Sequence, residues 1–337
     1  LRRALVASVL AVVIAVTGLG AAGCGGGGDD ALTVYSGRTE SLVAPVIERF
    51  TQETGVEVDV RYGDTNDLAL LVGTEGADSP ADVYWGQSPG ATAYLAGKDL
   101  LAPLPEATLS KVAPGFEDRD GRWVGVSGRA RVLVYNRDQV AEAELPDSVM
   151  DLTAPEWRGK VGLAPSNGSF QDFVTAMRHL EGEQVAERWL RGMAANDART
   201  YANNNAIVEA VGRGEIPVGL VNHYYNHRFL AEDPGLPSRN HQFADGDIGN
   251  LVIPSSVSVL AASDRQEDAA RFVDFLLSEE SQRYFADETF EYPLVKGVPP
   301  AEGVPAFSTL RPPAGERADE LGDIEATGRM IAASGLN

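Results

Sequence analysis

The chain has 337 residues, enough for two lobes, and its 49 Asp and Glu against 28 Lys and Arg give a formal charge of -21. A chain of that sign is repelled by phosphate backbones, which excludes nucleic acid as a partner and says little about a small ligand. Four His and one Cys leave thin material for acid–base or thiol catalysis, and a single cysteine excludes an intrachain disulfide.

Residues 1–23 have the layout of a secretory signal. Arg2 and Arg3 form a basic start, and Ala4 to Val16 is apolar apart from Ser8. That run is shorter than the ~20 residues of a bilayer span and fits the apolar region of an export signal. Ala21-Ala22-Gly23-Cys24 resembles a bacterial lipobox, with Ala21 where leucine is usual. The likeness implies cleavage before Cys24 and a lipid on its sulfur; the alternative is an ordinary signal with a stray thiol. Residues 24–31 then read as the lipidated cysteine and a Gly-rich tether.

From Leu32 the pattern alternates strand and helix. Leu32 to Tyr35 is a strand, Ser36 to Thr39 a turn, and Leu42, Val43, Val46, Ile47 and Phe50 share a helical face that Gly55 ends. Val56, Val58, Val60 and Tyr62 alternate with charge, which makes a half-buried strand and closes a βαβ unit with a parallel sheet. Asp82 to Trp85 is a strand running into the Gly86–Gly90 turn. Trp123 to Tyr135 is extended but interrupted at Ser127-Gly128-Arg129. Val161 to Ala164 is a strand, followed by a helix with Phe170, Phe173, Val174 and Met177 inward. Helices follow around Val185, Trp189 and Leu190, and around Ile207, Val208 and Val211. Ile216 to Val221 is a strand, Leu251 to Ile253 and Val257 to Leu260 are two extended runs, and Ala269, Phe272, Val273 and Leu276 mark an amphipathic helix. The Pro- and Gly-rich tail after Tyr292 wraps a lobe surface.

Polar clusters recur at strand ends: Ser36 to Thr39, Gln87-Ser88, Asn167 to Ser169, and Asn222 to Tyr225. Open parallel sheets bind ligands there, near helix N-termini, and the clusters come from both halves of the chain. A cleft between two α/β lobes is the natural site. Tyr224-Tyr225 is its sharpest feature. Neighbours in a strand point to opposite faces, but in a first helical turn they diverge by only ~100°, so both phenol oxygens can reach one ligand. A phenol titrates near ~10. A bound cation lowers that value, a helix N-terminus adds a smaller push, and the resulting phenolate is a hard donor suited to iron(III).

Val221-Asn222-His223-Tyr224-Tyr225-Asn226 resembles the dityrosine motif of the ferric-ion-binding proteins, the extracytoplasmic receptors of iron(III) ABC importers. Thr33 to Gly37, Pro80 to Tyr84, Ser127 to Val132, Trp157 to Gly162, Phe272 to Leu276 and Glu291 to Leu294 resemble further stretches of that family in the same order. The resemblance implies an α/β fold of the type II periplasmic binding proteins: two lobes, each a mainly parallel sheet flanked by helices, joined by crossover hinge strands. Residues 32–129 with about 255–306 would form the first lobe, and 130–254 with about 307–337 the second. Tyr224 and Tyr225 would ligate iron. Arg129, Asn167, Gly168, Ser169, Asn204 and Asn222 would hold a synergistic anion such as carbonate, citrate or phosphate. The partners implied are an ABC permease with its ATPase and, through the lipid, the membrane; the chain would be a monomer on the outer face of the cytoplasmic membrane.

This sequence departs from the family pattern at three places. Thr39 stands where some members have a histidine ligand, Gln87 where they have a glutamate, and Phe170 where others have a third tyrosine. Two protein ligands therefore remain, and either a chelating anion fills the rest or the ligand is another solute of the same fold: a phosphonate, another oxyanion, a polyamine or thiamine. Arg38, Thr39 and Gln87 line the expected cleft; Glu40 and Asp64 are further first-lobe candidates. His223 and His227 have a helical metal-ligand spacing that surface helices also carry without function, and Asn203 to Asn205 read equally as a helix cap. An exported α/β enzyme is the remaining class, but no His-Glu-x-x-His, phosphate loop or cysteine nucleophile is present.

Overall fold

Branched and aromatic residues form β1 (Leu32–Ser36), the first of the described strands, and α1 (Glu40–Thr54) buries the five apolar residues of its predicted face. The computed structural model describes residues 31–315 and 318–336; the expectations for the signal segment and Cys24 lie outside them. Gly55 ends α1 at φ 73°, a left-handed conformation that a Cβ makes costly. β2 (Val58–Tyr62) lies half-buried at the sheet edge, with Asp59 and Arg61 exposed between its apolar residues. There follow α2 (Thr65–Glu75), β3 (Val83–Gly86), α3 (Pro89–Gly97), the short α4 (Glu106–Leu109) and the long β4 (Val124–Asn136). Next come β5 (Val161–Leu163), α5 (Gly168–Leu180), α6 (Glu183–Ala195), β6 (Arg199–Thr200), α7 (Asn204–Gly212), β7 (Val218–Asn222), α8 (His223–Glu232) and β8 (Ser238–His241). The chain ends through β9 (Val252–Val259), α9 (Gln266–Leu276), α10 (Glu279–Asp287), β10 (Tyr292–Pro293) and α11 (Ile324–Ser334).

The strands follow the order β2-β1-β3-β9-β4-β7-β5-β6, with β8 and β10 also on β4. Pairing is parallel where helices intervene, in β1/β2, β1/β3, β5/β6 and β5/β7. It is antiparallel where the chain crosses between lobes, in β3/β9, β4/β9 and β4/β7. The first half of β4 pairs with β9 and the second half with β7, so one strand belongs to both lobes.

Two expectations change here. The interruption at Ser127-Gly128-Arg129 does not exist: β4 runs unbroken through 13 buried residues, because β9 supplies its ladder at Gly128, Arg129 and Ala130. Only a register shift between Gly125 and Ser127 remains, a bulge that bends the strand where it changes lobes. The two extended runs around Ile253 and Val257 are likewise one strand, β9, continuous through Pro254 and three serines. The tail carries a helix its composition hid, since α11 buries only Ile324, Thr327 and Ile331, and packs on α5 and α6.

Each lobe has its own aromatic centre. In the first, Phe272 meets Phe50 edge-on at 5.0 Å and Trp85 at 6.1 Å. In the second, Trp189 packs on Phe173 at 5.3 Å and donates its indole N–H to the Val149 carbonyl at 3.0 Å. Among the described residues no helix is long and apolar enough to cross a membrane. Replacing fully buried Phe272 with alanine removes the shared ring and leaves a cavity. Phe272→Ala is expected to cost about 3–5 kcal/mol, read as a lower denaturant midpoint with unchanged slope.

Candidate functional site

Asn222 is the last residue of β7 and α8 starts at the next one, so Tyr224 and Tyr225 project from a first helical turn. Their rings stack, centroids 4.1 Å apart and planes 29° apart. The Tyr225 hydroxyl accepts a hydrogen bond from Nε2 of Gln87, on the opposite lobe, at 2.8 Å. Tyr224 is fully buried and its hydroxyl has no protein partner. Burial first, then Tyr225 and Glu291 beside it, push the Tyr224 phenol well above its ordinary range, while Arg38 and Arg129 pull it back. Burial without a partner holds the Tyr224 phenol in its protonated form, and a nearby cation favours its ionisation.

The start of α5 lies beside this pair. Asn167 caps it, accepting the Ser169 N–H at 3.1 Å, and reaches across the cleft to donate to Gln87 Oε1 at 3.2 Å. The Ser169 hydroxyl accepts from Asn222 at 3.0 Å and from Arg129 at 3.2 Å. Asn204 is fully buried with its Nδ2 3.5 Å from Asn167 Oδ1 and its own carbonyl oxygen unpartnered. Helix α7 is capped by Asn203, whose side chain takes the Ala206 N–H, so capping and inward placement fall to neighbouring asparagines. At Gly168 a Cβ would stand 3.2 Å from that of Thr65, which is how closely the lobes meet.

Charge in this chamber is uneven. Arg129 and Arg131, two apart on β4, put both guanidiniums on one face, and Arg38 enters from the loop after β1. All three are buried, and Glu291 is the carboxylate beside Arg38 and Arg129. Arg38 donates to Glu291 at 2.6 Å. Burial works against its charge, but Glu291 and then Tyr224 hold its pKa above the ordinary value. Arg129 donates to the Pro254 carbonyl at 2.9 Å, and burial with Arg38 beside it pushes its pKa down. Arg131 lies 5.6 Å over the Phe173 ring and is pushed down to about 9 by burial and then Arg129. Excess positive charge behind a helix N-terminus is an environment for an anion.

Other predicted residues sit elsewhere. Thr39 and Glu40 are exposed at the cleft rim, and Asp64 caps α2 through the Asn66 N–H. A cavity of about 280 Å³ opens between Arg38, Thr39, Asp64, Gln87, Asn203 and Tyr225. His223 and His227 lie with ring centroids 6.0 Å apart: His223 accepts the Ala130 N–H through Nδ1 and stacks on Tyr292 at 4.5 Å, while His227 stacks on Phe290. Arg131 and Glu291 were missed by sequence reasoning. Their signals were an arginine two residues from Arg129 in an apolar strand, and an acid set between aromatic residues. Removing one partner of a buried ion pair leaves the other uncompensated, so Arg38→Met is expected to cost about 3–5 kcal/mol, with Arg38→Met/Glu291→Gln recovering most of it, measured by chemical denaturation.

A model of the bacterial extracellular solute-binding protein family matches residues 78–308. The major ferric iron-binding protein of Neisseria meningitidis serogroup B is 36% identical over 269 residues, covering 78% of this chain and 80% of that one. Iron-bound HitA from Pseudomonas aeruginosa has a TM-score of 0.86 at 36% identity, over 91% of this chain and 99% of that one. A Trichodesmium protein (IdiA, FutA) in complex with iron and citrate has a TM-score of 0.76 at 28% identity, over 91% and 100%.

Proposed function

We propose that this chain, which belongs to the bacterial extracellular solute-binding protein family and within it to the ferric iron-binding periplasmic proteins, binds iron(III) with a small anion in its cleft and hands it to an ABC permease. It is a binding protein and not an enzyme. The observation that carries the ligand is the stacked pair of Tyr224 and Tyr225 at a helix start, one phenol buried without a partner. Iron supplies the charge that ionises both phenols, and their protons leave to solvent. The anion lies against the first turn of α5, where Gly168 presents its backbone N–H and Ser169 its hydroxyl hydrogen, and Arg129, Asn204 and Asn222 supply side-chain donors. Gln87 stays a hydrogen-bond donor to the Tyr225 oxygen, a bond that strengthens when that oxygen is charged.

The chamber's charge argues for the anion. Iron(III) and two phenolates leave a positive sum, and Arg129 and Arg131 add to it, so a multiply charged chelator such as citrate or phosphate completes the balance. Cationic solutes such as a polyamine or thiamine are repelled by the same guanidiniums. The lobes are taken as residues 32–129 with 255–306 and residues 130–254 with 307–337. They bend where Gly128 pairs with Pro254 and Arg129 with Ile253. The receptor is a monomer held by a lipid on Cys24 at the outer face of the cytoplasmic membrane, and Cys24→Ser is expected to move it from the membrane fraction to the soluble fraction.

Titration of the purified protein with iron(III) in the presence of carbonate, citrate or phosphate is expected to raise a saturable visible charge-transfer band. Tyr224→Phe/Tyr225→Phe abolishes it, and Arg129→Ala or Ser169→Ala weakens binding by about tenfold or more without removing the band. No band with any of the three anions overturns iron as the ligand and points to a metal-free oxyanion such as a phosphonate.

A further inference from the structure

One buried carboxyl takes no part in the site described above. Asp172 lies on α5 of the second lobe and is fully buried. Its Oδ2 accepts the backbone N–H of Gly90, in the first turn of α3 on the first lobe, at 3.3 Å. Its Oδ1 is buried without a well-formed hydrogen bond, and the Ser88 hydroxyl is the nearby side-chain donor to the carboxyl. Residue 90 has to be glycine, because a Cβ there would stand 2.4 Å from Asp172 Oδ1 and 2.6 Å from the Leu321 carbonyl oxygen. A second-lobe carboxyl is therefore inserted into the start of a first-lobe helix, in a space closed to water.

The charged groups around it do not neutralise it. Arg129 acts on it from β4, but the hydrogen bonds it makes go to Ser169 and Pro254. Tyr84 comes from β3 and donates to the Thr65 carbonyl. On α5 itself, Arg178 is engaged by Glu183 of α6 and by Asp323 of the tail. Glu325 of α11 faces Tyr94 of α3 and Arg329 of its own helix. Burial pushes the Asp172 carboxyl up to about 7, against the Gly90 N–H, the Ser88 hydroxyl and Arg129, which pull it down.

We propose that Asp172 is a positioning residue for closure that takes up one proton from solvent as α3 comes down on it, so that loading the cleft exchanges protons. The phenol protons of Tyr224 and Tyr225 leave, and one proton enters at Asp172. In an open cleft the carboxyl is hydrated and titrates near ~4. A closed-state value above the open one means that closure is favoured below the open value and loses this contribution as pH rises through about 7. The inference rests on the iron reading for its main readout.

The test is calorimetric loading of the purified protein with ferric citrate in buffers of different ionisation enthalpy, which counts protons, with the visible band followed alongside. At about pH 5.5, Asp172→Asn is expected to keep the band and to release about one more proton per iron than the unaltered chain, a difference that vanishes by about pH 8.5. Equal release at about pH 5.5 with both bands intact overturns the role of Asp172 and leaves the iron site standing. If Asp172→Asn does not fold, the infrared difference between loaded and unloaded unaltered chain decides: a new protonated-carboxyl stretch supports the proposal and its absence overturns it. A missing band in the unaltered chain overturns the iron reading instead, and the same infrared difference taken with inorganic phosphate then decides Asp172.

Discussion

Arg129 has no water to turn to. Its guanidinium is fully buried where β4 passes from one lobe to the other, so its donors must be met by protein or ligand. Protein meets two of them, at the Ser169 hydroxyl and the Pro254 carbonyl. Those two bonds tie the start of α5 to the crossing point of β4 and β9. The Nε, 4.0 Å from Glu291 and otherwise unpartnered, is left facing the chamber. Much of the site follows from this one charge: Ser169 is fixed, Asn222 is fixed through Ser169, and the helix carrying Tyr224 and Tyr225 begins at the residue after Asn222.

The elements around the site were legible wherever one face is wet and one is dry. The alternation of Val58, Val60 and Tyr62 with charge identified an edge strand, and the spacing of Leu42 to Phe50 identified α1. Strands buried on both faces were harder to read. Gly128 looked like a break in β4, and Pro254 with its serines looked like a break in β9, because neither stretch alternates. Each is continuous because the other supplies its ladder, a fact of pairing that no local window contains. The dityrosine was legible from its place at the end of an apolar strand. Glu291 was not, since its partners Arg38 and Arg129 lie far away in sequence and its meaning is a charge balance. Asp172 was hidden for the same reason: the backbone N–H it accepts belongs to the other lobe.

The departures at Thr39 and Gln87 have a coherent physical outcome. A histidine or carboxylate in those places would contribute a first-lobe donor to a metal. Thr39 is exposed at the rim, whereas Gln87 reaches the second lobe through both ends of its amide, to Tyr225 and to Asn167. The first lobe thereby brings hydrogen bonds and the Arg38 guanidinium to the cleft at these places. On the proposed reading, more of the negative charge around the iron arrives with the anion.

The position of β9 has a consequence for how the molecule is assembled. Although it is the ninth strand in sequence, it lies between β3 and β4 and is buried along its whole length. As the chain emerges from its N-terminal end, β1, β2 and β3 have each other, but the centre of their sheet stays open until residue 259 has been made. The second lobe's β4, β5, β6, β7 and β8 are all available before that. The sheet begun first is therefore the sheet finished last. Until β9 inserts, β3 presents an unpaired, apolar edge, which is the exposure that folding helpers shield during synthesis and export.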